Sequence, residues 1–240
     1  QRDFQNDYGE TATVIGYKGA DVSSTRVRVR AAMGLDISEY VPAGIAEYIK
    51  AQGLYLIPSL PRAQKLMNEK RAAHVLRVAY MAAENCRRFK IPEKTAVTAA
   101  ALHDVAKNLK PSDKLLKDFV PPEGVPESVM HQFSGAYLAE HEFGIADEDI
   151  LNAIRYHTSG RPDMSDLEKL LFLCDMLEEG RDFEGVDKLR KLFAKDMDAC
   201  LEESLKMELD YLRAEGKYIY PLTQAAYDYI KQYNAHKNRI

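Results

Sequence analysis

The chain of 240 residues is predicted to fold as an all-α helical bundle with a small mixed appendage at its N-terminal end. Three observations carry that prediction. Between about Leu60 and Asn234, apolar residues recur at the i, i+3, i+4, i+7 spacing of amphipathic helices. Proline, glycine and small polar residues cut this stretch into helix-length pieces, with start and stop signals where they belong. The β-leaning Thr11–Tyr17 lies outside it, among glycines and turn residues.

The elements follow in order. Pro42 suits the first turn of a helix running to Gln52, and Gly53 is its stop. Pro58 and Pro61 mark a boundary, dividing the chain into residues 1–58 and 59–240. A helix over Arg62–Lys90 carries Val75, Val78, Ala79, Ala82, Cys86 and Phe89 on one stripe. Pro92 opens the next, where Ala96, Ala99, Ala100 and His103 keep the helical rhythm. A proline-rich loop leads to a helix over about Glu127–Phe143, stopped by Gly144. Asp147 caps a helix whose Ile150, Ile154 and His157 share a face. Ser165 and Glu168 form a capping box for a helix carrying Leu167, Leu171, Cys174 and Asp175. One long helix is expected over Val186–Glu215, and Pro221 starts the last.

Composition narrows the function. Lys and Arg number 33 against 37 Asp and Glu, a net charge of −4, so no broad basic field exists to hold a nucleic-acid backbone. Apolar runs such as residues 170–174 fall far short of the roughly 20 residues that span a bilayer, and no membrane partner is expected. Cys86, Cys174 and Cys200 are odd in number, widely spaced and free of any CxxC pattern. That argues against a disulfide framework or a zinc ribbon and fits a reducing cytoplasm.

The histidines carry the chemistry. His74, His103, His131 and His157 fall on or beside the inward stripe of four successive helices. His103 is followed directly by Asp104, and Asp175 lies one turn after Leu171 on the next helix. A lone His-Asp pair says little, and any single histidine is more readily a hydrogen-bonded core or surface residue. The ordered set says more, because helices packed side by side can turn such groups toward one point. Imidazoles and carboxylates without a thiolate pattern favour iron, manganese or a similar divalent ion over structural zinc.

Whole segments around these residues resemble a known family. ALHDVAK at 101–107, HQFSGAYLA at 131–139, IRYHTSGRP at 154–162, LFLCDMLEEGR at 171–181 and PLTQAAY at 221–227 are similar to the HD superfamily of metal-dependent phosphohydrolases. The similarity is closer still to its YqeK family of symmetrical dinucleoside tetraphosphate hydrolases, and it covers about residues 62–235. Glu178 and Glu179 stand where that family often has Glu-Pro. The resemblance implies that His74, His103, Asp104 and Asp175 are the primary metal ligands. His131 and His157 match positions that hold either a second metal or the substrate phosphates. Arg181 matches a phosphate-contact position. Lys107, three residues after Asp104 and therefore on the same side of a continuing helix, is a candidate phosphate clamp. Arg77, one turn from His74, and Arg161 are further candidates, and Thr158 and Ser159 either donate to phosphate oxygens or cap a helix. Asp104, Lys107, His131 and His157 form the expected catalytic group. The implied cofactor is a divalent metal, iron first, with manganese or another ion as alternatives. The implied substrate is diadenosine tetraphosphate, cut symmetrically to two ADP by metal-activated water, and the implied assembly is a homodimer. Nothing in the spacing itself shows adenine recognition.

VSSTRVR at 22–28, with Gly34 and the stretch 40–55, resembles the C-terminal end of nicotinate-nucleotide adenylyltransferases. In that family a Ser-Ser-Thr-x-x-Arg segment meets triphosphate at a helix N-terminus, a ready anion site. Its glycine-rich strand-turn with paired histidines is not in this chain, so residues 1–58 read as a truncated tail that transfers no adenylyl group. Ser24, Thr25 and Arg28 could still meet a phosphate, although a packing appendage is the favoured reading. Two alternatives stand beside the hydrolase: an HD site acting on another nucleotide, and a catalytically silent nucleotide-binding module linked to NAD synthesis.

Overall fold

The computed structural model describes residues 22–237, so the β-leaning Thr11–Tyr17 lies outside the described residues. Among the described residues every regular element is helical. The N-terminal piece supplies α1 (Ser24–Ala32) and α2 (Ala43–Ala51). α1 begins where the Ser23 side chain accepts a hydrogen bond from the Arg26 backbone N–H. α2 follows Pro42 and ends just before Gly53, which takes φ 59. No residue of α2 is buried. Val29, Ala32, Met33 and Ile57 nevertheless belong to the same hydrophobic core as the rest of the bundle.

The helix expected over 62–90 is three elements. α3 (Leu60–Gln64) is short, α4 (Glu69–Asn85) restarts after it, and a 3-10 turn covers Cys86–Phe89. The break has a local cause: the Asn68 side chain accepts from the Arg71 backbone N–H and so begins a new helix instead of continuing the old one. The stripe itself holds, with Val75, Val78, Ala79 and Ala82 buried on α4.

α5 (Glu93–Leu102) buries every residue from Ala96 to Leu102. A helix apolar on all sides belongs in the middle, and α5 packs against both α4 and α7. α6 (Glu127–His141), α7 (Glu148–Tyr156) and α8 (Asp166–Leu177) pack in sequence around it. Asp147 caps α7 and the Ser165–Glu168 capping box opens α8, both as expected. Gly135 on α6 marks a close approach: a Cβ there would lie 3.2 Å from the His103 carbonyl oxygen. Glycine lets α6 settle on the end of α5, which brings His131 to His103 and Asp104.

The single helix expected over 186–215 is also interrupted. α9 (Val186–Phe193) stops, Asp196 is extended with its side chain accepting from the Ala199 N–H, and α10 (Met197–Ala214) begins. α11 (Pro221–Lys237) packs along α10. α10 also contacts α8, which places it beside the helix that carries Asp175.

Candidate metal centre

Five segments deliver one cluster. His74 comes from the middle of α4, and Asp175 from the last turn of α8. His103 and Asp104 follow α5 directly, His131 sits in the first turns of α6, and His157 follows α7. All four histidines and Asp104 are buried. His74 Nε2 lies 2.9 Å from Asp175 Oδ1. His103 Nε2 lies 3.4 Å from Asp104 Oδ2, and the other Asp104 oxygen lies 3.4 Å from His131 Nε2 and 3.6 Å from His157 Nε2.

The outer nitrogens show which way these rings face. His103 Nδ1 donates to the Ala100 carbonyl and His157 Nδ1 to the Ile154 carbonyl, each at 2.7 Å. His74 Nδ1 donates to Glu178 Oε1 at 3.0 Å. In the neutral tautomer these bonds select, each Nε2 lone pair points into the cluster, the arrangement that orients histidines on metals. His74 Nε2, His103 Nε2 and Asp104 Oδ1 are buried and have no hydrogen-bond partner. Buried acceptors that face one another need something positive between them. His74, His103 and Asp175 offer ligand atoms within 4.8 Å of one another, as do His103, Asp104 and His157. These imidazoles and carboxylates fit a divalent cation.

Electrostatics agree. Burial works against the charge on Asp104, but His103 and His157 outweigh it and hold this carboxylate well below the usual range. Asp175 is likewise held low against its burial, chiefly by the adjacent His74 ring. Burial, then the neighbouring His157 and Lys107, push His131 down to about 2, so its ring is neutral. Asp104 in turn raises His103 against its burial, so the two carboxylates and the His131 ring are the groups already in the protonation state of a metal ligand.

The remaining candidates divide. Lys107 reaches the cluster, its Nζ 3.0 Å from the His131 ring nitrogens. It does so from a turn, because α5 ends at Leu102 and the helix assumed in placing Lys107 does not continue. Arg181 donates to Asp175 Oδ1 at 2.6 Å and to its backbone carbonyl at 2.8 Å. Thr158 Oγ1 stands 3.1 Å from His131 Nε2. Ser159 is buried and donates to the Gly160 carbonyl at 2.9 Å, a local structural bond. Arg77 meets the cluster only through Glu178. Arg161 is engaged elsewhere, donating to both oxygens of Glu168 at 2.7 and 2.8 Å. In the N-terminal piece Arg28 is committed too, with two bonds of 2.7 Å to the two oxygens of Glu93.

A model of the HD domain matches residues 71–212, which contain the whole cluster. The chain belongs to the HD-domain family. The symmetrical bis(5'-nucleosyl)-tetraphosphatase of Bacillus subtilis (strain 168) is 37% identical over 171 residues, 68% of this chain and 91% of that relative. A Mycoplasma genitalium protein named probable nicotinate-nucleotide adenylyltransferase/Ap4A hydrolase is 32% identical over 176 residues, 69% of this chain but 49% of its own length. A crystal structure from Clostridium acetobutylicum, described as a predicted HD superfamily hydrolase involved in NAD metabolism, aligns with TM-score 0.65 and 32% identity over 72% of this chain and 96% of that one.

Sequence reasoning missed four residues around this HD cluster. Arg71 pairs with Asp104 Oδ2. Glu178, almost fully buried, accepts a hydrogen bond from His74 Nδ1 and is itself held by Arg77 and by the Gly180 backbone N–H. Gln132 accepts from the Thr158 and Ser159 backbone N–H groups at 3.1 Å each, which fixes the turn after His157. Glu208 on α10 lines a cavity of about 610 Å³ that borders His157, Thr158, Asp175 and Arg181. Burial, then the Asp175 charge, push its carboxyl up to about 7. A signal for two of the four was present: Arg71 and Glu178 lie three residues from His74 and Asp175, one helical turn away.

Proposed function

We propose that this chain is a metal-dependent hydrolase that cleaves diadenosine tetraphosphate symmetrically to two ADP. One observation carries the reading: three buried polar atoms, His74 Nε2, His103 Nε2 and Asp104 Oδ1, converge with no hydrogen-bond partner in a chain of the HD-domain family. His74, His103, Asp104 and Asp175 would hold the metal, iron in this reading. His131 and His157 would hold a second ion or the substrate phosphates. A divalent ion there supplies Lewis acidity and lowers the pKa of water to near neutrality.

The protein's own groups do the rest. Glu178 keeps the His74 Nδ1 proton pointing outward, so that Nε2 is a ligand at every moment. Arg71 and Arg181 hold Asp104 and Asp175 in place from outside the cluster. Lys107, beside His131, can give a proton or a charge-assisted hydrogen bond to a phosphoryl oxygen as negative charge grows on it. Thr158 offers a hydroxyl on the same side. Arg77 and Arg161 act indirectly, by holding Glu178 and Glu168. The three cysteines are unpaired and buried, which suits work in a reducing cytoplasm. The same reading gives a homodimer as the working form and divides the chain into an adenylyltransferase-like piece, residues 1–58, and a catalytic unit, residues 59–240.

The test is anaerobic incubation of iron- or manganese-loaded protein with diadenosine tetraphosphate, followed by separation of products by anion exchange. ADP as sole product, abolished by chelation, is the expected result. ATP with AMP would overturn the position of attack, and no turnover by metal-loaded protein would overturn the assignment.

A further inference from the structure

The cavity beside the metal cluster has two unlike parts. One end carries His157, Thr158, Asp175 and Arg181, and the walls beyond are apolar, built from Phe172, Met176, Phe183 and Met207. Its volume of about 610 Å³ falls within the roughly 300–1,000 Å³ of small-ligand sites. Glu208 interrupts the apolar wall. Arg181, the cation of this cavity, is already spent on Asp175 at 2.6 Å. Only burial and the like charge of Asp175 act on Glu208, and both work against its carboxylate. A carboxylate so placed gains from any ligand that brings it donors.

The identity of those donors follows from charge and order. An acidic side chain offers a phosphate no cation, so a polyphosphate keeps to the side of Lys107 and the metal cluster and the uncharged nucleoside enters the cavity. Along α10, Glu208 is half-buried in the cavity wall, whereas Tyr211, nearly one turn further, is 55% exposed. A nucleotide extending outward from the metal presents its phosphates first, its ribose next and its base last. Its ribose therefore comes level with Glu208, and its base reaches Phe183 and Tyr211. A carboxylate that accepts from ribose hydroxyls is a pairing that dinucleotide-binding folds also use.

We infer that Glu208 is the specificity residue for the sugar, accepting hydrogen bonds from the ribose hydroxyls of the bound nucleotide. This rests on the nucleotide-hydrolase reading for the class of ligand but not on the position of cleavage. The test is calorimetric binding of ADP and of 2'-deoxy-ADP to metal-loaded wild-type protein, Glu208→Gln and Glu208→Ala. Wild type should bind ADP about tenfold tighter than the deoxynucleotide, the size expected of one well-made hydrogen bond. Glu208→Ala should bind both at the deoxynucleotide level, and Glu208→Gln, of the same shape and still an acceptor, should keep part of the preference. A wild-type protein indifferent to the 2'-hydroxyl, or a preference retained by Glu208→Ala, would overturn the assignment. A merely structural role for Glu208 would weaken both nucleotides equally, which also overturns it. Turnover of diadenosine tetraphosphate by wild type, measured alongside, separates failure here from failure of the hydrolase reading.

Discussion

The Asp104 cluster and the Arg28–Glu93 pair both join separate helices through carboxylates beside cations, yet their hydrogen bonding ends differently. Glu93 accepts on both oxygens from Arg28 at 2.7 Å, and that pair asks for nothing more. Asp104 is met on one oxygen by Arg71 and is left with a buried Oδ1 that has no hydrogen-bond partner. The Arg161–Glu168 pair belongs with Arg28–Glu93, its two bonds closing the account of both groups. Residue type alone does not separate a site from a staple, because all three places contain arginine and a carboxylate. What separates them is unmet demand. Folding tolerates buried acceptors in opposition only where a ligand completes them.

The comparison breaks most visibly at Asp104. Asp104→Ala removes the carboxylate of the His103–Asp104–His157 triad of close ligand atoms, and turnover of diadenosine tetraphosphate should fall by about 10³-fold or more, while circular dichroism keeps its helical signal. Retained turnover would mean the cluster is structural. Glu178→Gln sharpens the point, because it alters no direct ligand but loosens the hold on the His74 proton. Its metal affinity should drop by about 10–100-fold in a chelator competition, and wild-type affinity would show that His74 needs no such support.

Arg161→Ala should leave turnover within about threefold and lower the melting temperature by about 2–4 °C, the effect of about 1 kcal/mol in a protein of this size. A large rise in KM instead would return Arg161 to the substrate. The smallest effect concerns Arg28. Its hydrogen bonds hold the Glu93 carboxyl below the ordinary glutamate range. A lowered folded value means that the pair stabilises fully above the unfolded pKa of about 4.3 and loses its contribution as pH falls through the folded value. The melting temperatures of wild type and Arg28→Ala should therefore differ at pH 7 and converge in acid. A gap that stays constant would show that Arg28 acts by packing rather than charge.

Local signals were legible in the sequence where one residue decides an outcome. Pro42, Asp147 and the Ser165–Glu168 box each start a helix where expected, since a cap needs only its own neighbours. Asn68 and Asp196 were missed for the converse reason: each stands inside a run of good helix formers, and its role as a cap shows only once the chain has turned there. The metal-facing groups could be read because histidine is rare and the five segments are ordered. Arg71, Gln132, Glu178 and Glu208 could not be singled out, because charged and amide residues at helical spacing fill every solvated face. Only the packing of α4 on α8, of α6 on α7 and of α8 on α10 turns these four inward.

The most direct measurement is anaerobic titration of chelator-stripped protein with manganese or ferrous iron, followed by calorimetry, for wild type, Asp104→Ala and Arg28→Ala. Tight binding by wild type and Arg28→Ala, lost in Asp104→Ala, is the result expected if unmet demand marks the site. No binding by wild type, or binding undiminished in Asp104→Ala, would contradict it.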